Sequence, residues 1–319
     1  MKEIIFGMAV GDALGVPYEF ITKGEMSLMP CKDMVGYGTH NQPVGTWSDD
    51  TSMALCIIES LCNGLNYTNI ADKFKFWLFK NLWTPHGYVF DAGSSTGNAI
   101  NRWRSGKYLP TECGGLSFSS NGNGSVMRTL VLVPFIENMD VYKRYDVVSN
   151  VSSITHAHWI STFSCFLVCE YAIAIRKGYS KLNAFTVAVE SLNLINNLEI
   201  SKGGFSDLTE DEFKKHFQTK IDLIKDENST DVNFHGFGFA LDTAITSIWC
   251  IMTTENFKEA TLKAVNYGYD TDTTGCVTGG LAGIVYGYDG IPEEWLVDIA
   301  RKDDINELVE NYDSVYENA

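Results

Sequence analysis

The sequence predicts an all-α protein. Apolar residues recur at helical spacing over most of the 319 residues, and strand-like alternation of apolar and polar residues is scarce. Hydrophobic residues make up 45% of the chain, which is enough for a sizeable core. No Pro/Ser-rich linker or charge block divides the chain. We therefore expect one domain over residues 1–319.

The predicted helices follow one another along the whole chain. Pro17 ends the helix of the first apolar segment, and the apolar positions of 53–61 fall on one face of a helix that begins after Asp50. The other predicted helices lie at roughly 70–78, 124–134, 140–151, 157–177, 181–197, 208–225, 236–253, 255–266, 272–286, 292–300 and 303–316.

Two of these helices, 157–177 and 236–253, are apolar enough to be central rather than peripheral. The most polar stretch is 199–234, which we interpret as a peripheral excursion carrying a solvated helix at 208–225. Loops 84–98 and 105–125 are rich in Gly, Ser and Asn. Long loops of this kind in a helical protein are more often functional than mere connections.

Charge and cysteine content exclude several functional classes. The formal net charge is −16, which argues against a nucleic-acid binder, because that role needs Lys and Arg to displace counterions. The eight cysteines form no Cys-x-x-Cys pair and most lie in apolar helical patterns, so we expect reduced, buried thiols. The sequence shows no uninterrupted apolar run long enough for a bilayer. We expect a cytoplasmic protein with no membrane partner.

Two short acidic clusters carry the main functional signal. Ser48-Asp49-Asp50-Thr51 lies near the start of the chain and Asp270-Thr271-Asp272-Thr273-Thr274 near the end, and each runs into an apolar helical pattern. Carboxylate and hydroxyl oxygens at such a place suit Mg²⁺ or a similar hard cation. The alternative is simple N-capping, because Ser, Asp and Thr are the residues that helix starts prefer.

Two further carboxylates lie in Gly-containing segments. Glu19 follows Gly15 and Pro17 at the end of the first apolar segment, where a carboxylate could act as a general base. Asp91 begins a Gly/Ser-rich loop and could reach a cleft. The alternatives are a solvent-exposed Glu and an ordinary turn.

Three other motifs could contact a ligand. Asn121–Arg128 is a glycine-rich loop that opens a helix and could cradle a phosphate, although it lacks the Gly-Lys-Ser/Thr of a P-loop. His156 begins a long apolar helix, and segment 233–239 places aromatics beside glycines, where they could stack on a base. A capped loop, a structural His and core aromatics are the respective alternatives.

Taken together, these motifs resemble those of the ADP-ribosylglycohydrolase family, whose bacterial prototype reactivates dinitrogenase reductase. The matching segments are colinear and span nearly the whole chain: GDALGVPYEF at 11–20, GTWSDDTSMAL at 45–55, FDAGSSTGNA at 90–99, NGSVMRT at 123–129, TH at 155–156, GFGFALDT at 236–243 and DTDTTGCVTGGLAG at 270–283. The resemblance implies a single compact helical bundle of orthogonal type, with two Mg²⁺ ions (Mn²⁺ is an alternative) in a cleft for ADP-ribose.

The resemblance also implies roles for individual residues. The implied metal ligands are Ser48, Asp49, Asp50, Asp270, Asp272 and Thr273, although the family usually has Thr in place of Ser48. The implied catalytic residues are Glu19 and Asp91. The implied substrate-binding residues are Asn123, Gly124, Ser125, Met127, His156, Phe237 and Tyr269.

The implied reaction is hydrolysis of the N-glycosidic bond between ADP-ribose and a protein side chain, with arginine the first choice. Two metals roughly 3.5–4 Å apart can orient ribose hydroxyls and activate water. Glu19 or metal-activated water would supply the base, and Asp91 would assist protonation of the leaving guanidine. The expected partner is an ADP-ribosylated protein or a small ADP-ribose compound, and the expected state is a monomer.

Other interpretations remain open. The same scaffold could cleave O-linked ADP-ribose, either on serine or in O-acetyl-ADP-ribose. A binding or immunity protein could use this fold to occlude a toxin, but the motifs begin at Gly11 with little before them. A lens-type structural relative should have lost acidic ligands, whereas this sequence keeps them. An enzyme is therefore favoured.

Overall fold

Helices account for nearly all regular structure. The structure is a computed structural model that describes residues 1–316, and no β-strand occurs among them. Only isolated bridges are present, for example between Gly122 and Phe239. The all-α prediction is confirmed, while the last three residues of the predicted domain, 317–319, lie outside the described range.

The first half of the chain contains helices α1 to α7. They span Lys2–Gly15 (α1), Lys23–Leu28 (α2), Asp49–Leu61 (α3), Tyr67–Lys80 (α4), Ser94–Arg104 (α5), Val133–Ile136 (α6) and Val141–Ser153 (α7). The longest 3-10 helix, Asn123–Leu132, lies directly before α6. The second half contains Trp159–Arg176 (α8), Lys181–Lys202 (α9), Glu210–Phe213 (α10), Thr219–Lys225 (α11), Ala240–Met252 (α12), Phe257–Val265 (α13), Thr271–Tyr286 (α14), Glu293–Asp298 (α15) and Lys302–Tyr316 (α16).

Three local predictions differ from the structure. Residues 94–98 of the loop predicted at 84–98 instead form the first part of α5, in which Ala99 and Ile100 are buried. Tertiary packing of these few apolar residues outweighs the weak helix propensity of the surrounding Ser, Gly and Asn. The helix predicted at 124–134 is mostly 3-10, and the short α2 was not predicted.

Helices α1 and α14 pack antiparallel with their backbones in direct contact. Glycines recur every fourth residue on both facing sides: Gly7, Gly11 and Gly15 on α1, and Gly275, Gly279 and Gly283 on α14. A Cβ atom on Gly11 would lie 2.0 Å from the Gly275 carbonyl oxygen, and one on Gly279 would lie 2.1 Å from that of Gly7. Only glycine permits this approach, which brings the end of α1 to the start of α14.

Helix α8 is the central element, as predicted. By length and composition it could cross a membrane, with a mean hydropathy of 1.3, but 89% of it is buried inside the protein, as in the core helix of a globular protein. Ser, Thr and Glu residues interrupt the apolar run of this helix, so the sequence does not predict an uninterrupted apolar segment here.

The helical segment after α9 is not the solvated helix that the sequence predicted. Phe213 and Phe217 stack on each other, and Phe217 also packs against Trp159 of α8. Phe217 and Ile221 are fully buried. The segment is therefore amphipathic, and it covers the start of α8 with an aromatic face. The many charged residues on its outer face led the sequence to predict a solvated helix instead of an amphipathic one.

All eight cysteines are free thiols, and seven of them are buried. Cys62, which was predicted to be buried, is partly exposed. The expectation of unpaired thiols holds for the chain.

Candidate active site

The first acidic cluster forms the N-terminus of α3. The Ser48 hydroxyl accepts a hydrogen bond from the backbone N–H of Asp50 at 3.3 Å, so Ser48 is the N-cap. The fully buried carboxylate of Asp12 accepts from the Ser48 N–H at 2.9 Å, the Thr51 N–H at 3.1 Å and the Thr51 hydroxyl at 2.7 Å. Burial raises the pKa of Asp12 to about 7, although these hydrogen bonds oppose the shift.

The second acidic cluster forms the N-terminus of α14 and meets the first. Asp270 is the N-cap residue, and the backbone N–H of Thr273 donates to Asp272 Oδ1 at 2.9 Å. The Thr273 hydroxyl donates to Asp50 Oδ1 at 3.2 Å, which joins the two clusters directly. Thr271 is not a cap, because its hydroxyl donates instead to the Gly15 carbonyl at 2.7 Å.

These carboxylates fit a hard divalent cation. Asp50 Oδ2 and Asp270 Oδ1 are buried and have no hydrogen-bond partner among the described residues. Burial first, and neighbouring carboxylates second, raise the pKa of Asp49, Asp50 and Asp272 well above its usual range. Two carboxylates about 4 Å apart repel by on the order of 4 kcal/mol at an effective dielectric constant of about 20. A bound cation would relieve this repulsion, and carboxylate oxygens such as these unpaired ones are the ligands that hard divalent cations prefer.

Glu19 lies beside the two acidic clusters, and it contacts His40, which was not predicted as a site residue. Glu19 follows the 3-10 turn Val16–Tyr18 and is buried, contrary to the exposed alternative. His40 Nε2 is hydrogen-bonded to Glu19 Oε2. Ligand atoms of Glu19, His40, Asp91 and Asp272 all lie within 4.8 Å of one another. Burial raises the pKa of Glu19 and of Asp91, whereas the hydrogen bond to Glu19 raises the pKa of His40.

The opposite wall of the cleft is the glycine-rich loop and the start of α8. Gly122, Asn123, Gly124, Met127 and His156 line the same cleft as Glu19, Asp49, Asp50, Asp91, Asp270 and Thr273. A Cβ on Gly124 would lie 2.9 Å from His156 Cε1, so the loop backbone rests against the imidazole ring. The Asn123 amide donates to Asp270 Oδ2 at 3.1 Å and to Thr243 Oγ1 at 2.9 Å, which ties this wall to the acidic clusters.

Five of the predicted site residues are not in the lining of this cleft. Asp272 is almost completely buried, although its carboxylate lies within 4.8 Å of the ligand atoms of Glu19 and Asp91. Ser48 lies behind it as a helix cap, and the Ser125 hydroxyl accepts from Cys165 Sγ in the interior. The rings of Phe237 and Tyr269 pack against each other with centroids 4.6 Å apart, next to the cleft residues Gly238 and Asp270 in sequence. Their predicted ligand contacts stay predictions.

Two side chains near the site, Asp12 and His40, were not predicted from the sequence, for different reasons. Asp12 lies in the Gly11–Phe20 motif, where only the glycines, the proline and Glu19 were interpreted. The sequence does carry a signal for Asp12, because an Asp inside an apolar helical run needs hydrogen-bond partners when it is buried. His40 has no such signal, since it is a single His in an irregular segment.

The helical fold and the acidic cleft define a hydrolase of the glycohydrolase class, and comparison with known proteins identifies the family. The family described as ADP-ribosylglycohydrolase matches residues 1–319. The chain belongs to the ADP-ribosylglycohydrolase family.

Named relatives and a solved structure agree with this assignment. The chain is 28% identical to ADP-ribosylarginine hydrolase Tri1 of Serratia proteamaculans over 97% of this chain and 77% of that protein. It is also 28% identical to ADP-ribosyl-[dinitrogen reductase] glycohydrolase of Rhodospirillum rubrum over 93% of this chain and 88% of that protein. A solved structure described as an ADP-ribosylglycohydrolase-related protein complex superposes with a TM-score of 0.77 and 26% identity, covering 98% of this chain and 97% of that one.

Proposed function

We propose that this enzyme hydrolyses the N-glycosidic bond that joins ADP-ribose to an arginine side chain of a protein. One observation carries the proposal: the two acidic clusters, together with Glu19 and Asp91, meet in one cleft and leave Asp50 Oδ2 and Asp270 Oδ1 without hydrogen-bond partners among residues 1–316. The choice of arginine is supported by the relatives named ADP-ribosylarginine hydrolase, at 28% and 27% identity.

The carboxylates of both clusters would hold two Mg²⁺ ions, with Mn²⁺ as the alternative. The ligands would be Ser48, Asp49, Asp50, Asp270, Asp272 and Thr273. When bound, such ions supply positive charge that orients ribose hydroxyls and lowers the pKa of water. The Ser48 hydroxyl can join them only by giving up or sharing its capping bond to Asp50.

Glu19 and Asp91 have environments suited to proton transfer. The raised pKa of Glu19 brings this carboxylate nearer to neutral pH, where a general base removes a proton from water most effectively. Water adds to the anomeric carbon of the ribose as the carbon–nitrogen bond breaks. Arginine is stable as the guanidinium cation, so the guanidine must leave in protonated form and the leaving nitrogen must receive a proton. Asp91, whose pKa burial also raises, delivers that proton.

The opposite wall would bind the rest of the substrate. The backbone N–H groups of Gly122 and Gly124 and the His156 ring would donate to the diphosphate, and Met127 would offer an apolar contact to the ribose. The Asn123 N–H already donates to the Gly238 carbonyl at 3.1 Å. Phe237, 41% exposed beside Tyr269, is a candidate for stacking on adenine. The free thiols agree with a cytoplasmic protein, which we keep as part of the proposal.

A hydrolysis panel tests this function. Arginine-linked, serine-linked and O-acetyl-ADP-ribose are each incubated with the enzyme, with Mg²⁺ or with EDTA, and released ADP-ribose is measured. We expect release from the arginine conjugate with Mg²⁺ only, and loss of that release in Asp272→Ala. Faster release from either O-linked compound would replace the arginine assignment. No release from any of the three would favour the binding-protein alternative.

A further inference from the structure

Arg128 is a buried cation without an ion-pair partner. Its guanidinium is completely inaccessible, and among residues 1–316 no carboxylate forms a salt bridge with it. Instead, Nη1 donates to the Gly124 carbonyl, Nη2 donates to Thr155 Oγ1 at 2.6 Å, and the guanidinium carbon lies 4.6 Å from the centre of the Phe74 ring. These two hydrogen bonds go to elements that form one wall of the cleft, and a longer one from Nη1 reaches Met53 Sδ on α3 at 3.8 Å.

The hydrogen-bond direction between Thr155 and His156 follows from this arrangement. Thr155 Oγ1 and His156 Nδ1 lie 2.8 Å apart, and the distance alone does not say which group donates. Arginine can only donate, so Thr155 Oγ1 already accepts from Arg128. Thr155 is fully buried, and its hydroxyl proton has no other acceptor in the described part of the chain. Thr155 must therefore donate to Nδ1, since the reverse would leave a buried hydroxyl proton unpaired.

An imidazole that accepts at Nδ1 carries its proton on Nε2. Burial and the nearby Arg128 charge lower the pKa of His156 to about 3, so the ring is neutral at physiological pH. No group of residues 1–316 pairs with Nε2, and His156 is part of the cleft lining. The Nε2–H group is thus available to a ligand in the cleft.

We propose that Arg128 and Thr155 are positioning residues that hold His156 as the neutral Nε2–H tautomer, aimed as a hydrogen-bond donor at an acceptor oxygen of ADP-ribose. The inference rests on the proposed function for the identity of the ligand. Because the donor is neutral and buried, its contact with the ligand is independent of pH over the physiological range. The same guanidinium also binds the Gly124 carbonyl, so one buried side chain fixes both the glycine-rich loop and, through Thr155, the His156 ring.

Nitrogen-15 NMR of the imidazole groups tests the tautomer directly. The full-length protein is labelled at histidine, and His156 is assigned by comparison with His156→Gln. We expect a pyridine-like Nδ1 and a pyrrole-like Nε2 that do not change between about pH 5 and about pH 8. A proton on Nδ1, or titration of the ring in that range, would overturn the proposal. This readout needs neither turnover nor a variant of Arg128 or Thr155.

Matched variants test the positioning role. Thr155→Val keeps the shape and removes the hydroxyl, whereas Thr155→Ser keeps the hydroxyl. We expect Thr155→Val to weaken ADP-ribose binding in the presence of Mg²⁺ about three- to tenfold by calorimetry, and Thr155→Ser to stay within about twofold of wild type. Arg128→Lys should weaken binding at least as much as Thr155→Val, because an ammonium cannot span both acceptors.

Kinetics separate this role from general loss of structure. The contact is present before the reaction and during it, so Thr155→Val should raise KM with kcat nearly unchanged. Full affinity in Thr155→Val or Arg128→Lys, or an equal loss in Thr155→Ser, would contradict the inference. Failure of the proposed function looks different, because wild-type enzyme would then release no ADP-ribose whatever the tautomer of His156.

Discussion

The Thr273 hydroxyl donates a hydrogen bond to Asp50 Oδ1 at 3.2 Å, which links the starts of two helices that are far apart in the sequence. The Thr273 hydroxyl bonds only one of the two Asp50 oxygens, and Oδ2 is buried with no hydrogen-bond partner in the described part of the chain. The bond therefore aligns the two helix ends without neutralising the charge between them. Stability of the metal-free protein should depend on how that charge is compensated.

The first prediction concerns pH and metal. The pKa values of Asp49, Asp50 and Asp272 are raised in the folded state, so this state keeps protons that the unfolded chain releases near pH 4. The free energy of unfolding of the metal-free protein should therefore fall as the pH rises from about 4 toward these raised pKa values. The reason is that the unfolded state then binds fewer protons than the folded state. We expect the Tm in EDTA to be lower at about pH 8 than at about pH 5, measured by calorimetry.

Added Mg²⁺ should have the opposite pH dependence. The ion binds deprotonated carboxylates, so its stabilising effect should be larger at about pH 8 than at about pH 5. A Tm increase that is larger at the lower pH would contradict a carboxylate site.

The second prediction concerns the unpaired carboxylate. Asp50→Asn removes one buried charge from the cluster, so the metal-free protein should become more stable, by on the order of 1–2 kcal/mol near pH 8. The same variant should lose the Mg²⁺-dependent rise in Tm and the Mg²⁺-dependent hydrolysis. Chemical denaturation in EDTA measures the first effect. A less stable metal-free variant would indicate that Asp50 has a purely structural role.

The third prediction concerns Asp12. Asp12→Ala leaves the N–H groups of Ser48 and Thr51 without an acceptor in the interior, which should lower the free energy of unfolding by about 2–4 kcal/mol. Asp12→Asn retains one acceptor oxygen and should fall between this variant and the wild type. Urea titrations with unchanged m-values give the comparison. A loss below about 1 kcal/mol in Asp12→Ala would contradict this role.

The fourth prediction concerns the glycine interface. A Cβ at residue 279 would lie 2.1 Å from the Gly7 carbonyl oxygen, so Gly279→Ala must push α1 and α14 apart. We expect a loss of about 3 kcal/mol, or failure to obtain folded protein. Gly24→Ala on the exposed helix α2 is the control, because its Cβ would have no neighbour closer than 4.0 Å. A similar Tm change in both variants would show that the close approach is unimportant.

Much of the site could be predicted because its parts carry local signals. Carboxylates next to hydroxyls, followed by an apolar helix, identified Asp49, Asp50, Asp270 and Asp272 from sequence alone. The structure brings them together, although their role as ligands stays a prediction. Helix α5 was missed because Ser, Gly and Asn favour loops, and only packing of its few apolar residues makes it helical.

Other parts depend on contacts between distant residues. His40 lies next to Glu19 through the path of an irregular segment, which no spacing rule encodes. The glycines of α1 and α14 were visible in the sequence at intervals of four, yet their meaning depends on which helix faces which. The choice of Ser125 as a ligand contact came from its place in a motif, and its hydroxyl instead faces Cys165.

The antiparallel pairing of α1 with α14 has a consequence for how the protein is made. Among helices α1 to α16, α1 is synthesised first and its glycine face packs on α14, one of the last, so this face stays uncovered until α14 has been made. Pairing of such distant segments is slow, because a long loop must close before any contact is gained. The cation site spans the same two segments. A nascent chain therefore has no complete site until Asp270, Asp272 and Thr273 have been made, and a product truncated before them would lack the site even if its other helices folded.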